Sequence, residues 1–344
     1  MHRRTFLASA PLLSSSIAGP ADAAENQSDV PAYKTRNAQI VIHTTQGYPE
    51  KWKTIYKDTI EHYAHHWGHV GPTYVFLVEN TDWDPTTLTD KRRKQLEASI
   101  RTLKRKFATL QGNDADGQYL NWRTGNHWAG WSISPAHLTI TMTMTPLRDA
   151  QQFVIGPIHE YTHALQTAYG FATEAIDGNQ MGHSRWTGPA WWREGSAVLI
   201  SYLYSYQHPE LFAKLQRSMT WQRFSHEMHR NLSLYQQAKI PINAGVTHDD
   251  WQRLEKIKKV HPVVYAGGSV ACAKLLQRAG SLKQLFAFLH KVPELGWEPA
   301  FEQHFQLSLN QFYKKFEEDI SNARPQLAEF GEQANWAAYL KEMK

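Results

Sequence analysis

Hydrophobic and polar positions follow two periods along this chain, and the period changes mark its elements. Residues 38–44 are mostly apolar and β-branched, which predicts a strand. From Pro49 to Trp67 the apolar positions Trp52, Ile55, Tyr56, Thr59, Ile60, Tyr63 and Trp67 fall on one stripe at helical spacing, which predicts an amphipathic helix. Tyr74–Val78 reads as a second strand, and Leu88–Leu110 as a long basic helix. Leu138–Thr145 alternates without a break, apolar on one face and threonine on the other, the pattern of a half-buried strand. Beyond Tyr206 the pattern is helical throughout. Leu282, Leu285, Phe286 and Leu289, then Phe312, Phe316 and Ile320, mark packing stripes. These elements predict an α+β fold. A small mixed-sheet lobe at 24–155 precedes an all-α C-terminal lobe at 156–344, and no internal repeat is present.

Chemistry enters at Gly156-Pro157-Ile158-His159-Glu160-Tyr161-Thr162-His163-Ala164. Four residues advance a helix by about 6 Å and roughly 40° past one turn. His159 and His163 therefore share one face, and two imidazoles can each reach one Zn²⁺ at about 2.0–2.1 Å. Glu160 stands one residue round the helix, placed to touch a metal-bound water rather than the metal. Pro157 suits the first helical position and Gly170 the C-terminal cap. A catalytic zinc keeps three protein ligands and leaves the fourth position to water. The metzincin continuation would need Gly at 166 and His at 169, where this chain has Gln166 and Tyr169. Candidates for the third ligand are Glu194, on a second apolar helix, and Glu174, Asp177 and His183 in the Gly-rich loop Gly170–Gly188.

The segment Trp191-Trp192-Arg193-Glu194-Gly195-Ser196-Ala197 resembles the gluzincin metallopeptidases, the thermolysin and alanyl-aminopeptidase superfamily, at Trp191, Glu194, Gly195 and Ala197. The resemblance implies zincin active-site helices, Glu194 as third zinc ligand and Glu160 as general base. Val264-Tyr265-Ala266-Gly267-Gly268 resembles the aminopeptidase and leukotriene-hydrolase branch. That implies Tyr265 as donor to the oxyanion, with His261 as a fallback. In gluzincins an edge strand just before the metal helix pairs with the substrate backbone, which implies that role for Leu138–Thr145. The chain departs from the family in three places. Thirty residues separate His163 from Glu194, longer than usual. Ala197 and Val198 stand where an Asp often holds a zinc-bound His. The Gly-x-Met-Glu-Asn segment of the aminopeptidases is missing.

Composition adds an address and excludes some partners. Arg3-Arg4-x-Phe6-Leu7, an apolar run to Ala18 and Ala21-Asp22-Ala23 read as an export signal over residues 1–23, resembling the twin-arginine type. This predicts an exported, periplasmic protein. The formal net charge of +5 has no concentrated run, which argues against a nucleic-acid partner, and no later segment is long and apolar enough to span a bilayer. The single cysteine, Cys272, reads as a small core residue. His62, His65, His66 and His69 have metal-like spacing but face away from the apolar stripe and read as solvated. His226 and His229 are one residue short of a zinc pair, and Asn113–Gly117 reads as a turn. The expected function is a zinc-dependent hydrolase of peptides or proteins. The alternatives are a non-catalytic zinc- or peptide-binding envelope protein, or a hydrolase of non-peptide amides.

Overall fold

Strand β1 (Ile40–Thr44) and strand β2 (Thr73–Glu79) are rich in β-branched and aromatic residues. They pair in parallel, Ile40 opposite Thr73 and Thr44 opposite Leu77. The connection between them is helix α1 (Glu50–Trp67), entered from an extended Pro49 and ended at Gly68, whose φ of 101° is open only to glycine without strain. Helix α2 (Asp90–Gln111) follows β2. The period of two along β2 divides its side chains between two layers. Val75 and Leu77 join the main core with α1, while Phe76 and Val78 pack on Leu96, Ile100 and Leu103 of α2. The sheet is thus covered on both faces, as its parallel pairs require. The structure is a computed structural model that describes residues 39–69, 72–79, 89–111, 128–134, 137–144, 150–170, 188–322 and 336. The export segment 1–23, Asn113–Gly117 and the loop candidates Glu174, Asp177 and His183 lie outside them.

Strands β3 (Trp128–Ser134) and β4 (His137–Met144) complete the sheet in the order β1-β2-β4-β3. β4 is parallel to β2 and β3 is antiparallel to β4. β4, expected to be an edge strand, is therefore not an edge. It has a strand on either side, and among the described residues the edges are β1 and β3. The alternation identified a strand where β4 stands, but it carries no information about in-plane neighbours, because alternation reports faces and not edges.

Helix α3 (Gln152–Gly170) begins five residues before Pro157, so Pro157 is inside it rather than at its start. The lost N–H deprives the carbonyl of Phe153 of a partner. Gly156 has no Cβ to meet the proline ring, and burial of Phe153, Val154, Ile155 and Ile158 holds the first turns in place. Each such side chain taken from water contributes about 1.5–3 kcal/mol. α3 packs on α1, with the Trp52 and Phe153 ring centroids 4.8 Å apart and Tyr63 Oη 2.9 Å from Thr162 Oγ1.

Helix α4 (Ala190–Gln207) is buried nearly all round, between α3 on one side and later helices on the other. Helices α5 (Trp221–Ala238) and α6 (His248–Lys256) follow. A π-helical turn at His261–Gly267 then feeds helix α7 (Gly268–Ala279). Four more helices between Leu282 and Asn322 close the core around Trp191, Trp192, Trp297 and Phe301. The described chain is mostly helical with one small sheet, in keeping with an α+β class.

Candidate metal centre

Helix geometry brings the two imidazoles together as the i, i+4 spacing requires. His159 Nε2 and His163 Nε2 lie 3.1 Å apart. The carboxylate of Glu194, in the first turn and a half of α4, completes a triangle. Its Oε2 is 3.4 Å from His159 Nε2 and 3.3 Å from His163 Nε2. Donors that each stand 2.0–2.1 Å from one tetrahedral zinc are about 3.3 Å from one another. The three atoms therefore fit zinc in spacing as well as in kind. His163 is 4% exposed at its side chain, while His159 and Glu194 keep 16% and 14%, so the triangle has one face toward solvent. Burial pushes the Glu194 carboxyl up. The charge of His163 and hydrogen bonds from both imidazoles outweigh burial and hold the carboxyl well below its usual range. Glu194 is therefore an anion beside two imidazoles, the state a ligand needs.

Glu160 lies next to this triangle and is 5% exposed. Burial raises its pKa to about 7, with His159 pulling it down and Glu194 pushing it up. A carboxyl tuned near neutrality can both take and return a proton at ordinary pH.

Tyr265 reaches the same place from the π-helical turn. Its hydroxyl hydrogen-bonds the Glu194 carboxylate, and its ring stacks on His159 with centroids 6.3 Å apart. Burial and the two carboxylates, Glu194 and Glu160, raise the phenol well above its usual pKa, so it is a donor. Two glycines make this approach possible. A Cβ on Gly195 would sit 2.1 Å from the carbonyl carbon of Gly268, and a Cβ on Gly268 would sit 2.2 Å from the Trp191 carbonyl oxygen. Backbone lies against backbone there, which carries the turn of Tyr265 up to Glu194. π turns of this kind are frequent at functional sites. His261 stacks on the Tyr265 ring at 6.0 Å, so it backs the tyrosine.

One residue of the centre has no counterpart in the motif reading. Gln166, one turn beyond His163 on the same helix, accepts at Oε1 from His163 Nδ1 across 3.0 Å. Its amide nitrogen donates to the Arg193 carbonyl at 3.1 Å and to Ser196 Oγ at 2.6 Å. Those two acceptors fix the amide orientation, so His163 Nδ1 donates to Oε1 and Nε2 is the ring atom left to face the triangle. Gln166 thus orients His163, and it also ties α3 to α4. The i, i+3 spacing from His163 was the available signal. Gln166→Ala is expected to weaken the affinity of this triangle for a metal ion about 10–100-fold while leaving its three donors in place. Competition with a chromophoric chelator measures this, and unchanged affinity would show that Gln166 does not orient His163.

Among the described residues two groups of three donors converge, this one and a second around His62, and neither includes His226 or His229. Cys272 is buried in α7 with its thiol pushed up by burial, as a core residue should be. No described helix is long and apolar enough to cross a membrane. The chain matches no family model, no curated protein and no solved structure.

Proposed function

We propose that this chain is a zinc-dependent peptide hydrolase of gluzincin type, acting in the bacterial envelope. The observation that carries the reading is the donor triangle of His159, His163 and Glu194 at 3.1–3.4 Å, with the buried carboxyl of Glu160 beside it. Zinc held there would lower the pKa of a water toward neutrality and polarise a scissile carbonyl. Glu160 takes the water proton and passes it to the leaving amine. Tyr265, a hydroxyl donor at the rim of the triangle, turns from Glu194 to the oxygen on which negative charge develops. β3 has a free edge among the described residues, and an extended peptide can add to such an edge as a further strand. Substrate pairing is therefore assigned to β3 rather than to β4. The envelope location rests on the Arg3-Arg4 signal and the Ala21-Asp22-Ala23 site.

A non-catalytic zinc or peptide binder has no use for Glu160. A buried carboxyl beside a metal costs stability unless it serves a purpose. Incubating the purified protein with a diverse peptide pool and reading the products by mass spectrometry tests the proposal. New termini that vanish on chelation and return with Zn²⁺ support it. A pool left intact with zinc bound would point to the binder instead.

A further inference from the structure

A second group of donors converges away from the centre just described: His62 of α1, with His208 and Glu210 immediately after α4. His62 Nε2 is 3.6 Å from Glu210 Oε1, and His208 Nδ1 is 2.9 Å from the same oxygen. The rings of His62 and His208 meet edge to face, 4.6 Å between centroids. These separations bracket the spacing of about 3.3 Å between two donors on one tetrahedral zinc. His62 is partly solvated, as its place off the apolar stripe suggested, and it also faces His208 and Glu210.

Tyr204 of α4 fixes the His62 ring: its Oη lies 2.7 Å from His62 Nδ1 and 3.2 Å from the His62 carbonyl oxygen. The contact at Nδ1 holds the ring with Nε2 on the side of Glu210. A histidine held through its other ring nitrogen is the usual arrangement around a metal.

We propose that His62 Nε2, His208 Nδ1 and Glu210 Oε1 form a second site for a divalent transition metal ion of the zinc type. Two imidazoles and one carboxylate suit zinc, nickel or copper and not calcium or magnesium. The site clips α1 to the end of α4, and so ties the helix between β1 and β2 to the helix that carries Glu194. It is weaker than the centre at His159, because Glu210 is 57% exposed and His62 37%.

Equilibrium dialysis of the purified full chain against Zn²⁺, with bound metal counted by elemental analysis, tests the proposal. Wild type should take up two zinc ions per chain. Glu210→Gln, a change at an exposed side chain, should lose the weaker one and hydrolyse peptide as wild type does. Tyr204→Phe should weaken the same ion about 10–100-fold, since it frees the His62 ring to turn. His163→Ala should lose the tighter ion and keep the weaker. The second site is overturned if wild type saturates at one zinc, or if Glu210→Gln keeps both with unchanged affinity. Loss of the tighter ion's chemistry alone would bear on the hydrolase reading and not on this site.

Discussion

Glu160→Gln is expected to keep its zinc and to lose at least about 10²–10⁴-fold in turnover, the usual contribution of a positioned general base. Residue 160 is adjacent to a ligand but is not one of the three donors in the triangle. An amide has nearly the same shape as the carboxyl it replaces, so α3 and its buried face should survive. What the amide cannot do is accept a proton. Burial holds the native carboxyl at about 7, where it exchanges a proton readily, and the substitution removes that capacity altogether. KM should change little, because the lost interaction is made in the transition state. Zinc content, melting temperature and kcat on the same preparation check this. Full turnover in a zinc-loaded Glu160→Gln protein would remove Glu160 from the mechanism.

The second large effect is expected at Glu194. Glu194→Ala leaves two imidazoles 3.1 Å apart and takes away the one anionic donor. Losing a partner that merely orients a ligand costs about 10–100-fold in metal affinity, so losing the ligand itself should cost more than about 100-fold. Turnover should vanish with the metal. Stability should also stop responding to zinc at this centre. A ligand at 100 times its Kd contributes about 2.7 kcal/mol to the folded state, and an emptied site contributes nothing. The Tyr265 hydroxyl loses its acceptor at the same time. Metal analysis of Glu194→Ala beside His183→Ala decides between the candidates for third ligand. Undiminished zinc in Glu194→Ala would move the ligand into the loop between Gly170 and Gly188.

How much of this was legible in the sequence follows from what is local and what is not. His159 and His163 could be read directly, because the i, i+4 spacing fixes their relation whatever the rest of the chain does. Glu194 needed the resemblance, since only packing of α4 on α3 brings it to within 3.4 Å of the histidines. Tyr265 was found by its glycine pattern, but the reason for that pattern is tertiary: Gly195 and Gly268 touch through their backbones. Gln166 stood in plain view and was read only as a departure from another family, although its place one turn past His163 made it a neighbour. The strand β3 left no clear signal, because Trp128-Ala129-Gly130-Trp131 breaks the alternation that marked β4. Pro157 reads as a helix start because proline favours the first helical position. Apolar burial from Phe153 to Ile158 extends the helix through it. His62 could not be connected in advance with His208 and Glu210, since α1 and the segment after α4 are joined only by the fold.

In the proposed mechanism His159, His163 and Glu194 hold one zinc, and peptide hydrolysis depends on it. Its most direct test is a titration of metal-free protein with Zn²⁺, followed by the rate of peptide cleavage. The account predicts no cleavage at the start and a rise that breaks at one zinc per chain, because the centre fills before the weaker site at His62. Cleavage by the metal-free protein, or none at any level of zinc, would contradict it.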